Sequence, residues 1–254
     1  MNELIRTELE AIEEREKVRI LYACESGSRM WGFASPDSDF DVRFIYVRPL
    51  DWYLAIHVEN KRDVIERITS EDLDLVGWDL RKALGLLQKS NPSLLEWLYS
   101  PIVYRENLPF IDRMKELALQ FFSPMASFHH YRSMGPNHNL KYLQREEVSY
   151  KKYLYPIRGI LAAQWLEQGR GIVPVRFDEL FDALVSEGPL RSAILDLLRV
   201  KKTSGEKQSG GRIAVLHEFI DSEIARLEKV VLPNAATRAD VSELDQFFRE
   251  TVKN

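Results

Sequence analysis

Hydrophobic positions change their period once along this chain. Up to residue 76 they fall mostly into short alternating or continuous runs, and from Asp79 onward they recur at helical spacing. Ahead of the first run, residues 2–16 place Leu4, Ile5, Leu9 and Ile12 on one helical stripe, with acids and arginines elsewhere. Val18–Cys24 is β-branched and aromatic and reads as a buried strand. A Gly27-Ser28 turn then leads into a short helix ending at Trp31, which Ser28 can cap. The turn Ser35-Pro36-Asp37-Ser38 precedes a second strand, Asp39–Val47, and further strands are expected near Asp63–Ile68 and over residues 71–76.

Beyond Asp79, Leu80, Ala83, Leu84 and Leu87 line one helix, and Pro92 starts another over SLLEWLY. Helices are then expected over 105–121, 127–153, 156–168, 177–185, 190–200, 213–230 and 240–253. Pro, Gly and Ser clusters at 134–137, 169–174, 187–189 and 203–211 punctuate them. The expected fold class is α+β, with a small mixed β-sheet domain over 1–104 followed by an all-helical half over 105–254.

Composition changes this picture little. A chain of 254 residues with 45% apolar content can bury a real core and is not disordered. The net charge of −4 argues against an overall electrostatic grip on nucleic acid and leaves room for a local basic patch. The single cysteine, Cys24, excludes an internal disulfide and reads as a small buried side chain on the first strand. No apolar run approaches the ~20 residues of a membrane helix, and residues 1–16 are too charged for a secretory signal. A soluble, cytoplasmic protein without a membrane partner is expected.

Candidate chemistry concentrates in CESGSRMWGFASPDSDFDVRFIYV, residues 24–47. Side chains alternate along a strand, so Asp39 and Asp41 project from one face while Phe40, Val42 and Phe44 project from the other. Two carboxylates ~4 Å apart repel by about 4 kcal/mol at an effective dielectric of ~20. A cation between them would turn that liability into a metal site. A hairpin with a solvated acidic edge is the plainer alternative. In residues 71–76, Asp72 and Asp74 share one face and Leu73 and Leu75 the other.

The pairing of Gly27-Ser28, ten residues, then Asp39-Phe40-Asp41 resembles the signature of the nucleotidyltransferase superfamily that includes DNA polymerase beta. A narrower resemblance runs through GSRMWGFASPDSDFDVRFIYV, DLVGWDLRKALGLLQKSNPSLLEWLYSPIVY and YKKYLYPIRGILAAQWL, and weakens after about Val200. Those segments look like the RNA repair pathway DNA polymerase beta family (RlaP). The resemblance implies metal-dependent transfer of a nucleoside monophosphate from an NTP such as ATP to a hydroxyl acceptor, an RNA end being the suspected one, with release of pyrophosphate. AMP transfer to a protein or small molecule, and a non-catalytic nucleotide-binding module, are the alternatives.

The same resemblance implies Mg²⁺ or Mn²⁺ held by Asp39, Asp41 and a third acid on an adjacent strand, because Mg²⁺ prefers one or two carboxylates plus substrate phosphates. Asp74 is the preferred third acid, with Asp72 and Asp79 as rivals, Asp79 being more simply a helix N-cap. Gly27 and Ser28 are expected to meet phosphate through backbone amides and a hydroxyl. Arg29 either reaches a phosphate or pairs with a neighbouring acid. Lys141, Arg145, Lys151, Lys152 and Arg158 alternate with Tyr142, Tyr150, Tyr153 and Tyr155, and Lys152 and Arg158 are the preferred nucleotide-binding picks. Glu146 and Glu147 favour instead a solvated, salt-bridged face.

The remaining features read as structural. His129, His130 and His138 lack a cysteine partner and HExxH spacing. Trp78 and Trp97 read as core. Lys201-Lys202 reads as a solvated helix end, with a flap over 203–211 as the alternative.

Overall fold

The computed structural model describes residues 1–69, 73–138, 143, 147–204, 209–233 and 239–254. The chain divides into two compact units, neither contiguous in sequence. One comprises Met1–Gly27, Asp39–Phe122 and Thr237–Asn254, the other Ser28–Ser38 and Ser123–Ala236. The chain leaves the sheet unit at Ser28, re-enters it at Asp39, and contributes its last helix there.

The sheet unit contains α1 (Asn2–Glu16), β1 (Arg19–Glu25), β2 (Phe40–Val47), α3 (Leu50–Tyr53), β3 (Val64–Ile68), β4 (Leu73–Asp79), α4 (Leu80–Gln88), α5 (Pro92–Leu98), β5 (Val103–Glu106), α6 (Leu108–Phe121) and α12 (Ser242–Lys253). Helix α2 (Gly27–Trp31) begins at the first junction between units. The sheet order is β3-β4-β2-β1-β5. Only β2 and β4 run parallel, the other neighbours being antiparallel, so the sheet is mixed as expected.

Both faces of the sheet are covered, which is why its central strands are apolar on both sides. Ile5, Leu9 and Ile12 of α1 pack with Val42, Phe44, Tyr46, Leu73 and Leu75 on one face. On the other, Ile45, Val47 and Cys24 pack with α4, α5, α6 and Leu244 of α12. Trp78 and Trp97 stack there at 3.7 Å between ring centroids, as core residues. The β2–β4 register pairs Phe44 with Gly77, and a Cβ at Gly77 would collide with the Phe44 ring. Glycine is therefore required at that position, and the ring across it holds two parallel strands in a single alignment. Where β4 ends, Asp79 caps α4 by accepting from the Arg81 N–H at 2.9 Å.

The helical unit contains α7 (Pro124–His138), β6 (Glu147–Ser149), α8 (Lys151–Glu167), α9 (Phe177–Leu184), α10 (Pro189–Ser204), β7 (Ser209–Gly211) and α11 (Ala214–Leu227). Three expectations change. The helix expected over 127–153 gives way to α7, β6 and the start of α8, with Pro156 inside α8 rather than opening it. Residues 209–211, in the Gly/Ser cluster, form a strand paired with β6. The helix expected from 105 starts instead at Leu108, because residues 103–106 pair with β1 as an edge strand. In each case the deciding partner is remote in sequence, so a local periodicity cannot register it.

Candidate active site

β2 and β4 run parallel, and their register sets Asp41 directly opposite Asp74. Both acids are the second residues of their strands, on the face whose later residues Ile45 and Trp78 pack against helices. Between them lies Arg43, two residues along β2 on the same face. Its Nη2 donates to Asp41 Oδ1 at 3.0 Å and to Asp74 Oδ2 at 2.8 Å. Its Nη1 donates to the Asp74 carbonyl at 2.8 Å and the Val42 carbonyl at 3.1 Å. The two carboxylates thus converge on one cationic nitrogen. Burial pushes the Asp41 carboxyl above the usual range, Arg43 pulls it down, and the charges of Asp74 and Asp39 push it up.

Asp41 is held from a second direction. Its N–H donates to Oε1 of Glu25 at 2.8 Å, and the Tyr104 hydroxyl donates to Oε2. Glu25 is fully buried at the end of β1, so its carboxylate acts as a bracket for the start of strand β2. Gly27 stands at φ +59°, in the left-handed region, and a Cβ there would overlap Asp41 Oδ2. Glycine serves both demands at once: backbone conformation and close approach of the acid.

Other expected site residues fall as follows. Asp39 precedes β2 and is exposed, and its charge is felt at Asp41. Asp72 lies outside the described residues, as do Lys141, Tyr142 and Arg145. Asp79 sits at the other end of β4 from Asp74, where it accepts from the Tyr53 hydroxyl at 2.7 Å as well as capping α4. Ser28 is buried in α2. Arg29 donates to the Ser38 carbonyl at 2.6 Å, closing the segment between the Gly-Ser turn and β2. Lys152 is half-exposed in the first turn of α8.

Arg158 is fully buried. Its guanidinium lies 4.5 Å from the Trp31 ring and 5.9 Å from that of Tyr131, and it donates to the Val175 carbonyl at 3.4 Å. In this packing the guanidinium, picked from the sequence for nucleotide binding, lies against aromatic rings. Lys201 corrects the solvated-helix-end reading: it is 4% exposed, with its ammonium 5.1 Å from the Phe33 ring. His129 meets Arg132 through Nδ1 at 3.1 Å on α7. Cys24 is buried, and burial pushes its thiol up to about 12.

Two residues of this constellation escaped the reading by motif. Arg43 carried a usable signal, since it follows Asp41 at a spacing of two on a strand and must share its face. Glu25 carried a weaker one, a charge at the end of an apolar strand run. Among the described residues, no group of three or more His, Cys, Asp or Glu side chains is gathered closely enough to hold a metal ion. The Asp41 and Asp74 carboxylates, both turned to one positive centre, are the donors that a hard divalent cation would take here.

The sheet unit thus combines a five-stranded mixed sheet, a Gly-Ser turn after its first strand, a D-x-D segment running into its second and an acid opposite on a parallel neighbour. The sequence profile of the RNA repair pathway DNA polymerase beta family matches residues 1–250, and the chain belongs to that family. It is 44% identical over 254 residues to the Bacillus subtilis (strain 168) "Uncharacterized protein YcgL", covering 100% of this chain and 97% of that one. A crystallised nucleotidyltransferase-like protein from Exiguobacterium sibiricum 255-15 aligns over 100% of this chain and 90% of its own at 13% identity. The TM-score of that alignment is 0.33. Among the described residues no helix is long and apolar enough to cross a membrane.

Proposed function

We propose that the protein transfers a nucleoside monophosphate from an NTP to a hydroxyl acceptor, with an RNA end as the acceptor and the cytoplasm as its setting. What carries this reading is the alignment of Asp41 with Asp74 across parallel strands, both carboxylates turned to a single cation. Asp39, Asp41 and Asp74 are the proposed ligands for Mg²⁺ or Mn²⁺, which when bound would neutralise phosphate charge and polarise the α-phosphoryl group.

The chain's own groups do the rest. Asp74, the more exposed of the bridged pair, accepts the proton of the acceptor hydroxyl as its oxygen forms a bond to the α-phosphorus. The bond from that phosphorus to the bridging oxygen breaks, and pyrophosphate leaves. Glu25 and Gly27 keep Asp41 in place during this exchange. Backbone amides at Gly27-Ser28, with Arg29 and Lys152, are the proposed phosphate donors.

The test is incubation with α-labelled NTPs and Mg²⁺ or Mn²⁺ against pooled RNA, DNA, protein and small-molecule acceptors. Labelled RNA that disappears in an Asp39→Ala/Asp41→Ala double variant is the expected result. Labelled protein or small molecule would redirect the acceptor to the AMP-transfer alternative. Nucleotide binding with no label on any acceptor would leave a non-catalytic module.

A further inference from the structure

Arg43 is in an unusual position for a residue at a site meant to take a divalent ion: it already supplies the positive charge. It is pinned there from four directions, by one oxygen of each carboxylate and by the backbone carbonyls of Asp74 and Val42. Two of those acceptors are main chain, and Arg43 springs from the same strand as Asp41. Swinging it out would strip the guanidinium of all four bonds while only 16% of its side chain is exposed. The economical arrangement is that Arg43 stays when an ion arrives. It occupies Asp41 Oδ1 and Asp74 Oδ2, so one oxygen of each acid is left for a second cation.

We infer that Arg43 is a resident cation that makes divalent-metal uptake at the Asp41–Asp74 pair conditional on a nucleotide. This rests on the transferase reading above. The reasoning is a matter of charge. A bare divalent ion entering beside a fixed guanidinium loses much of the attraction that two unshared carboxylates would offer. A polyphosphate brings its own excess of negative charge, so the ion, the phosphates and Arg43 together are balanced where the ion and Arg43 alone are not. Free metal is therefore held weakly, and the metal–nucleotide complex well. The acid pair meanwhile stays aligned between turnovers, because Arg43 suppresses the repulsion that would splay it.

The competing account makes Arg43 an ordinary ion-pair strut that leaves metal affinity alone. Mn²⁺ retained on the protein side in equilibrium dialysis, in excess of the Mn²⁺–nucleotide complex common to both chambers, separates the two. Wild-type protein is expected to bind Mn²⁺ at least about tenfold tighter with a non-hydrolysable NTP analogue than without it. Arg43→Gln is expected to bind Mn²⁺ alone on the order of tenfold tighter than wild type, shrinking that difference. Arg43→Lys keeps the charge and is expected to stay near wild type.

Arg43→Gln binding free Mn²⁺ no tighter than wild type overturns the inference. So does tighter binding by Arg43→Lys, which would assign the effect to the fork rather than the charge. Should the Gln variant fail to fold, the wild-type comparison still decides, since equal affinity with and without nucleotide also sinks the idea. Label transfer with an unresponsive Arg43→Gln removes this inference and keeps the transferase. Tighter Mn²⁺ binding in that variant with no label transfer under any condition keeps the resident cation and removes the transferase.

Discussion

Gly27 and Asp41 lie fourteen positions apart in the chain, yet each constrains the other's atoms. Replacing Gly27 by alanine puts a methyl group where Asp41 Oδ2 stands and asks an L-residue to hold φ +59°. The backbone cost is about 1–2 kcal/mol. Thermal unfolding should record that modest loss, whereas label transfer should fall by about a hundredfold because a reacting ligand is displaced. An equal, small effect on both would mean Asp41 is free to move. At this scale the acids and the Gly-Ser turn were legible, because alternation along a strand and spacing in a motif are local properties. Glu25 and Arg43 were less so: their jobs are defined by hydrogen bonds to Asp41, Asp74 and Tyr104, and Tyr104 lies 79 residues from Glu25.

Secondary structure sets up the site through one register. β2 and β4 meet in parallel, and the same alignment that faces Asp41 with Asp74 faces Phe44 with Gly77. A methyl at Gly77 would strike the Phe44 ring, so Gly77→Ala is expected to destabilise by about 1–3 kcal/mol in urea unfolding. It should also weaken label transfer, although no proposed ligand has been touched. Retained activity in a destabilised variant would show that the Asp41–Asp74 alignment does not depend on this packing. The strands themselves were readable to within two or three residues. Short pieces such as β5, β6 and β7 were not, since a three- or four-residue strand has too few positions to establish a period and owes its form to its partner.

For the molecule as a whole, the helical unit contains a built-in response to acid. The Tyr153 hydroxyl accepts from the Ile213 N–H at 3.1 Å and lies 2.7 Å from His217 Nε2. Burial first, and then the charge of Arg212, push the His217 imidazole below its ordinary value. The folded state thus binds the proton less readily than the unfolded chain. Stability from this group is fully present above the ordinary histidine value of about 6.5 and is lost as pH falls below it, through the lowered folded value. Unfolding midpoints should drop between about pH 7.5 and pH 5.5 in wild type, and the drop should be smaller in His217→Gln. The same slope in both proteins would assign the acid sensitivity elsewhere.

From its residues alone the chain declared an α+β fold, a helix-rich second half, a mixed sheet, and the acids and glycine of its proposed centre. Each of these follows from periodicity, turn chemistry or motif spacing, which act over a few positions. The three-dimensional arrangement settled what depends on distant neighbours: that residues 28–38 group with 123–236, and that the final helix joins the sheet unit. It also settled that a guanidinium from Arg43 already stands between the two facing carboxylates. Tertiary packing alone brings such partners within reach of one another, and no count along the sequence contains that distance.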